Sequence, residues 1–323
     1  MGGVLTTMRN YATVAGQAYP PKPTFAVDQI PDLAGSVMIV TGGNTGIGYE
    51  TCKALLAHDA KVYLAARSRE KGHAAIARLK EETGKDAVFL ELDLASMKSI
   101  KRAAEEFAAK EGALRVLFNN AGVMNPPISA LTEEGHDLQW GVNVLGHFYF
   151  TELLLPLLAA GAKSSPDHHS RVITTSSSGA YPGKIDFDTF KDSKHRRKVH
   201  PELLYFNSKL GNTVVAHQAA LRYADMGIIS IALNPGNLDS ELYRTIPSVG
   251  RWIVAKVMLY PNWYGALTQL YAGTMPDALK LNGEFMIPWA RPGKCKKEMY
   301  DPELGRRVWE WLDGEVKAFE AKL

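Results

Sequence analysis

From about residue 36 the chain alternates short apolar runs with longer amphipathic ones, the spacing of strands and helices taken in turn. Val37–Thr41 reads as a buried strand and Gly46–Ala57 as the helix after it. Lys61–Ala66 is the next strand, followed by a helix rich in Ala, Lys and Glu to about Glu82. Residues 87–92, 114–119, 171–176, 228–233 and 284–287 read as further strands. Helices are expected over 96–110, 138–159, 205–224 and 262–273, and an amphipathic one over 302–323 closes the fold. Each strand–helix–strand unit must return over one face of a sheet, so the repeat predicts a parallel sheet covered on both sides. No linker and no repeat of solenoid length interrupts the run. One doubly wound α/β domain over 36–323, behind an N-terminal extension of 1–35, is the expectation.

Composition narrows the partners. With 46% hydrophobic and 22% charged residues the chain is ordinary for a globular protein with a well-filled core. The 37 basic and 34 acidic residues leave a net charge of +3, which by itself calls for neither nucleic acid nor membrane. Cys52 and Cys295 are too few for a disulfide framework and lack metal-ligand spacing, and His168, His169 and His195 add no metal geometry. No metal site is expected, and the cysteine usage suits a reducing compartment such as the cytoplasm. The first residues lack a secretory pattern. Met1-Gly2-Gly3 with Thr6 comes near a myristoylation pattern, but a flexible arm ended by Pro20, Pro21 and Pro23 is the simpler reading. Residues 252–260 are apolar but interrupted by Lys256 and too short to span a bilayer.

The first strand runs straight into Thr41-Gly42-Gly43-Asn44-Thr45-Gly46-Ile47-Gly48 and then a helix. Glycines at 42, 46 and 48 permit a sharp turn and a close approach to a pyrophosphate, and the helix N-terminus offers free N–H groups and partial positive charge. A glycine-rich string alone is weak, and its place between strand and helix makes it a dinucleotide signal. The second strand ends Ala66-Arg67. An NAD site needs an acid there for the ribose 2′-hydroxyl, whereas a guanidinium suits a 2′-phosphate. NADP (NADPH) is therefore the expected cofactor, against the alternative that Arg67 and Arg69 are solvated helix-entry charges.

Tyr205-Phe206-Asn207-Ser208-Lys209 is expected to open a helix, with the phenol and the ammonium four residues apart on one side. A free tyrosine, pKa near 10, exchanges protons poorly at neutral pH, and a nearby cation favours its phenolate. Such a group can protonate a developing alkoxide or take the proton back. Tyr-x-x-x-Lys arises by chance, so its company matters. Upstream a strand ends in Thr174-Thr175-Ser176-Ser177-Ser178-Gly179, where a hydroxyl reaches the crevice in which doubly wound sheets bind ligands. Ser176 and Ser178 are read as turn formers before Gly179.

Taken in order, Thr41 to Gly48, Asp93-Leu94, Asn119-Asn120-Ala121-Gly122, Asn143, the serine run, Tyr205 to Lys209 and Asn234-Pro235-Gly236 resemble the short-chain dehydrogenase/reductase superfamily. The resemblance covers essentially everything from residue 36 onward and implies a single-domain Rossmann-type sheet. Leu145-Gly146-His147-Phe148 and Lys184-Ile185-Asp186-Phe187 are similar to the group of retinol dehydrogenase, protochlorophyllide reductase and WW-domain oxidoreductase. It implies a catalytic set of Asn143, Ser177, Tyr205 and Lys209. Asn143 would hold a water linking Lys209 to solvent, and Lys209 would also bind the nicotinamide ribose. Gly42, Asn44, Thr45, Gly46, Ile47, Gly48 and Arg67 would take the phosphates, and Asp93 with Leu94 the adenine. Asn120, Ala121 and Gly122 would shape the wall near the ribose, and Pro235, Gly236, Leu238 and Ser240 would lie along the nicotinamide. About 28 residues separate Ser177 from Tyr205, longer than the common spacing, and the adjacent hydroxyls leave a one-residue slip open.

The expected activity is hydride transfer between NADPH and a small lipophilic ketone or aldehyde, or the corresponding alcohol. Reduction of a carbon–carbon double bond and a non-catalytic NADP-binding scaffold stand as alternatives, and a homodimer is left open. The basic run 191–200 is read as a solvated loop rather than a partner site. Residues 252–263, within a substrate-loop region of about 238–265, read equally as a lid, as core or as a weak membrane-facing patch.

Overall fold

The computed structural model describes residues 16–238 and 260–323. Eight strands form one sheet in the order β3-β2-β1-β4-β5-β6-β7-β8. They are β1 Val37–Thr41, β2 Lys61–Ala66, β3 Val88–Glu91, β4 Val116–Asn119, β5 Ser170–Thr175, β6 Ile228–Leu233, β7 Phe285–Ile287 and β8 Arg291–Gly293. The first seven run parallel, and β8 returns antiparallel along β7. This edge strand, Arg-Pro-Gly, carries no hydrophobic alternation, so its sequence gave no strand signal. The order reverses between β1 and β4, which opens a crevice at the carboxyl ends of the strands.

The helices are α1 Gly46–Ala57, α2 Arg69–Thr83, α3 Met97–Ala108, α4 Leu138–Ser164, α5 Pro201–Arg222, α6 Asn262–Thr274 and α7 Pro302–Glu320. Period-two alternation sends strand side chains to two cores. Met38, Val40, Val62 and Leu64 meet α1 and α6, while Ile39, Tyr63 and Leu117 meet α3 and α4. A third cluster packs Leu210 and Val214 of α5 against Val308 and Leu312 of α7. Helix α4 is long and apolar enough to cross a membrane, yet Phe150, Leu154 and Leu158 are fully buried against the sheet, as in a core helix.

Four observations depart from the expected pattern. Helix α5 begins at Pro201, where a ring without an N–H suits the first turn, so Tyr205 stands one turn inside rather than at the start. Helix α4 widens into a π-helical stretch at Gly141–Gly146 that sequence periodicity does not reveal. The described end of the expected arm is held rather than free, because Gln17 is buried, and past the prolines Phe25, Ile30 and Leu33 enter the α1-side core. The basic run is exposed at Lys191, Lys194, His195, Arg197, Lys198 and His200, as expected, but is anchored at one point. Arg196 is 1% exposed and donates from Nε to Asp137 at 2.8 Å and from Nη2 to the Ala130 carbonyl at 3.0 Å. Around it, Phe190 stacks on Trp140 at 3.5 Å between ring centroids. The long insertion before Tyr205 is thereby docked against α4 and α7.

Candidate active site

The glycine loop leaves β1 with Gly42 at φ 67° and enters α1 at Gly46 with φ 56°, left-handed values that favour glycine. Gly48 is needed for closeness instead. A Cβ there would lie 2.3 Å from the Gly42 carbonyl oxygen and 2.7 Å from Asn120 Nδ2. Asn120 uses that space to donate to the Thr41 carbonyl at 2.8 Å, joining the ends of β1 and β4. Thr45 stands at the N-cap of α1 without a side-chain capping bond, and the first-turn N–H groups face the loop that Asn44 and Thr45 complete.

On the neighbouring strands Ala66 is paired with Glu91, so Arg67 and Asp93 follow at adjacent strand ends. Arg69 is engaged by Glu91 at 2.7 Å, and Arg102 reaches the same carboxylate at 3.2 Å. Arg67 is exposed and pairs with no acid among the described residues. Asp93 accepts from the Ala95 N–H at 2.9 Å and holds the turn that leads into the buried Leu94. The two arginines that periodicity could not separate thus differ. Arg69 is a structural ion pair, and Arg67 is available to an anion.

Beyond the switch point lies a cavity of about 300 Å³, lined by Asn120, Gly122, Thr175, Ser176, Ser177, Ser178, Tyr205, Lys209, Pro235, Gly236 and Leu238. Ile47, Met124 and Phe206 add apolar wall, and Glu202 stands at the same cavity. Tyr205 and Lys209 sit four apart on α5, with the ammonium 5.7 Å from the centre of the phenol ring. Lys209 is buried and donates to the Thr175 carbonyl at 2.9 Å. Its burial lowers the ammonium pKa to about 8.

The serine run divides by partner. Ser176 donates to the Lys209 carbonyl at 2.7 Å, so it ties β5 to α5 and is not the turn former expected. Ser177 accepts from the Gly179 N–H at 3.0 Å and keeps its own proton to give. Asn143 lies in the π-helical stretch with its side chain fully engaged. Its Oδ1 accepts from the Val123 N–H at 2.8 Å, and its Nδ2 donates to the Val123 carbonyl at 3.0 Å and to Ser208 Oγ at 2.9 Å. A further buried polar knot sits beneath. His147 Nδ1 is 3.2 Å from the Asn143 carbonyl, which can only accept, so the ring proton belongs on Nδ1. The Thr41 hydroxyl, which receives the Asn120 and Ala121 N–H groups at 2.9 and 3.0 Å, has its one proton within reach of both Nε2 at 3.0 Å and the Phe118 carbonyl at 3.1 Å. Burial pushes the His147 pKa down to about 4, so the ring is neutral.

The short chain dehydrogenase family model matches residues 36–248. The chain belongs to the short-chain dehydrogenase/reductase family. It is 55% identical to a short-chain dehydrogenase/reductase of Armillaria gallica over 97% of this chain and the whole of that protein. It is 38% identical to another in Emericella nidulans, over 93% of this chain and 98% of that one. A solved protein from Mycobacterium paratuberculosis has 27% identity and a TM-score of 0.69, covering 91% of this chain and 97% of that one. The Pseudomonas aeruginosa protein RhlG, solved with NADP, has 23% identity and a TM-score of 0.64 over 80% and 95%, a likeness of fold.

In this dehydrogenase/reductase Ile47, Asn120, Gly122, Ser177, Tyr205, Lys209, Pro235, Gly236 and Leu238 line the one cavity. Arg67 and Asp93 stand at the neighbouring ends of β2 and β3, and Asn143 does not line the cavity. Ser240 and the expected lid residues 252–259 lie outside the described residues, as do Gly2 and Thr6. Sequence reasoning passed over Ser208, Asn212 and Gln17. Asn212 donates to the Thr175 carbonyl at 3.3 Å beside Lys209, and its place one turn beyond Lys209 on the same helix face was a usable signal.

Proposed function

We propose that this chain is an NADPH-dependent oxidoreductase that interconverts a lipophilic ketone or aldehyde and its alcohol, with Tyr205 as general acid and base. The observation that carries the reading is the convergence of Tyr205, Lys209 and Ser177 on one cavity beside the glycine loop. The residues present fit a dinucleotide: the open space at Gly46, the uncapped α1 N-terminus and the exposed Arg67 suit its phosphates. Bound NADPH supplies the hydride.

The chain's own groups handle the oxygen and the proton. Ser177 donates to the carbonyl oxygen and holds it as charge develops there. Tyr205 passes its phenolic proton to that oxygen, and in the reverse direction takes it back. Lys209, held by the Thr175 carbonyl, provides the positive charge that favours the phenolate and would hold the cofactor ribose when it is bound. Asn143, through its bonds to Val123 and Ser208, keeps the π-helical stretch against α5. Met124, Phe206, Pro235 and Leu238 suit an apolar substrate body. Within the family, the Leu145–Phe148 and Lys184–Phe187 segments support placement with the retinol-dehydrogenase group.

A panel of lipophilic ketones, aldehydes and enones tests this, followed by loss of NADPH absorbance and analysis of product. Alcohol formation with preference for NADPH is expected. Saturation of a carbon–carbon bond would replace carbonyl reduction as the activity, and no consumption with any member would contradict an enzymatic role.

A further inference from the structure

One buried amide joins both sides of the crevice from the far end of the chain. Gln17 is 3% exposed. Its Nε2 donates to the Tyr181 hydroxyl at 2.8 Å, and its Oε1 accepts from Asn234 Nδ2 at 2.8 Å. Tyr181 passes its own proton to the Lys294 carbonyl at 2.7 Å. The other half of the Asn234 amide, Oδ1, accepts from the Gly236 N–H at 3.0 Å.

Both partners lie next to reacting elements. Tyr181 ends the short turn Ser178–Ala180 that Ser177 caps. Asn234 begins the Pro235-Gly236 stretch that lines the cavity. Gly236 sits at φ 92°, and a Cβ there would lie 2.7 Å from the Trp289 ring, so this stretch has little room for an alternative path. An amide has a donor end and an acceptor end, and Gln17 spends one on each side. Without it, Asn234 loses the bond that orients its amide, and the Gly236 N–H loses a fixed acceptor.

We infer that Gln17 is a positioning residue: the N-terminal extension inserts it to hold the Ser177–Tyr181 turn and the Asn234–Gly236 stretch at a set separation, so that the nicotinamide half of the cofactor is received in register with Tyr205. The inference rests on the proposed NADPH reaction, but its test does not depend on turnover. The comparison uses 2′,5′-ADP, which carries the adenosine and 2′-phosphate and lacks the nicotinamide half.

The test takes the full chain with Gln17→Met, which keeps the shape and removes both bonds, and with Tyr19→Ala as an exposed control. Dissociation constants for NADPH and 2′,5′-ADP are measured together with amide hydrogen exchange of the ligand-free protein over 234–238. Gln17→Met should weaken NADPH by about tenfold, the worth of one or two hydrogen bonds, leave 2′,5′-ADP within about twofold, and speed exchange over 234–238. Combined with Asn234→Ala, the losses should be less than additive, since both remove the same bond. Equal weakening of both ligands together with a lowered melting temperature would reduce Gln17 to a packing residue. Unchanged NADPH affinity and exchange would overturn the inference outright. If the wild-type chain consumed no carbonyl substrate, the proposed activity would fall while the exchange comparison still decided the role of Gln17.

Discussion

Lys209 donates from Nζ to the main-chain carbonyl of Thr175, 2.9 Å away, just where β5 ends. No carboxylate takes part in that contact, so the ammonium is held by a dipole and its charge stays available to the crevice. Burial is what lowers its pKa to about 8.

A pH dependence follows. The protonated form prevails below about 8 and is lost as pH rises through that value, so NADPH affinity should fall across this range. Titration of NADPH fluorescence between pH 6 and 10 reads it, and Lys209→Met should remove the inflection. For stability the sign is opposite. The folded value lies below the ordinary 10.5, so the unfolded chain binds more protons between about 8 and 10.5, and this group's contribution rises with pH there.

His147 behaves as an acid-sensitive brace. Its folded pKa of about 4 lies below the ordinary 6.5, so the unfolded chain binds the extra proton first. Stability from this site is fully present above about 6.5 and is lost as pH falls towards 4, by on the order of 3 kcal/mol. Protonation would also turn Nε2 into a donor against the Thr41 hydroxyl and disturb the Asn120 and Ala121 N–H groups it receives. Denaturant unfolding at pH 7 and pH 4.5 should therefore differ less in His147→Gln than in the wild-type chain. An equal difference in both would remove His147 from this role.

Arg67 should set cofactor choice. A lost guanidinium–phosphate contact is worth about 1.5–3 kcal/mol, so Arg67→Ala should weaken NADPH by roughly 10- to 100-fold and leave NADH nearly unchanged. Arg69→Ala, which breaks the pair with Glu91, should leave the NADPH:NADH preference as it was. The ratio of the two dissociation constants reads both variants.

What was legible in the sequence was mostly local. Gly42 to Gly48 announce their loop because the turn, the close approach and the helix start lie within eight residues. Tyr205 and Lys209 announce themselves through helical spacing, and the strands through apolar runs between turns. The remainder is long-range. Gln17 meets Tyr181 and Asn234 across 164 and 217 positions, and Thr41 meets His147 across 106. No period or spacing encodes such partners. Arg196 was read as part of a charged loop because its partner, Asp137, lies 59 residues away. The π-helical stretch escaped for a related reason. It is held by Asn143 reaching Val123 and Ser208, and Gly141–Gly146 otherwise reads as helix.

The most direct test of the central claim is the rate of NADPH oxidation by Tyr205→Phe in single turnover, with a carbonyl substrate turned over by the wild-type chain. Removing the phenolic oxygen leaves the ring and its packing in place, so the NADPH dissociation constant should stay within about twofold while the rate falls by roughly 10²- to 10⁴-fold. A rate close to wild type, with NADPH bound equally well, would show that the proton comes from elsewhere and would contradict the account.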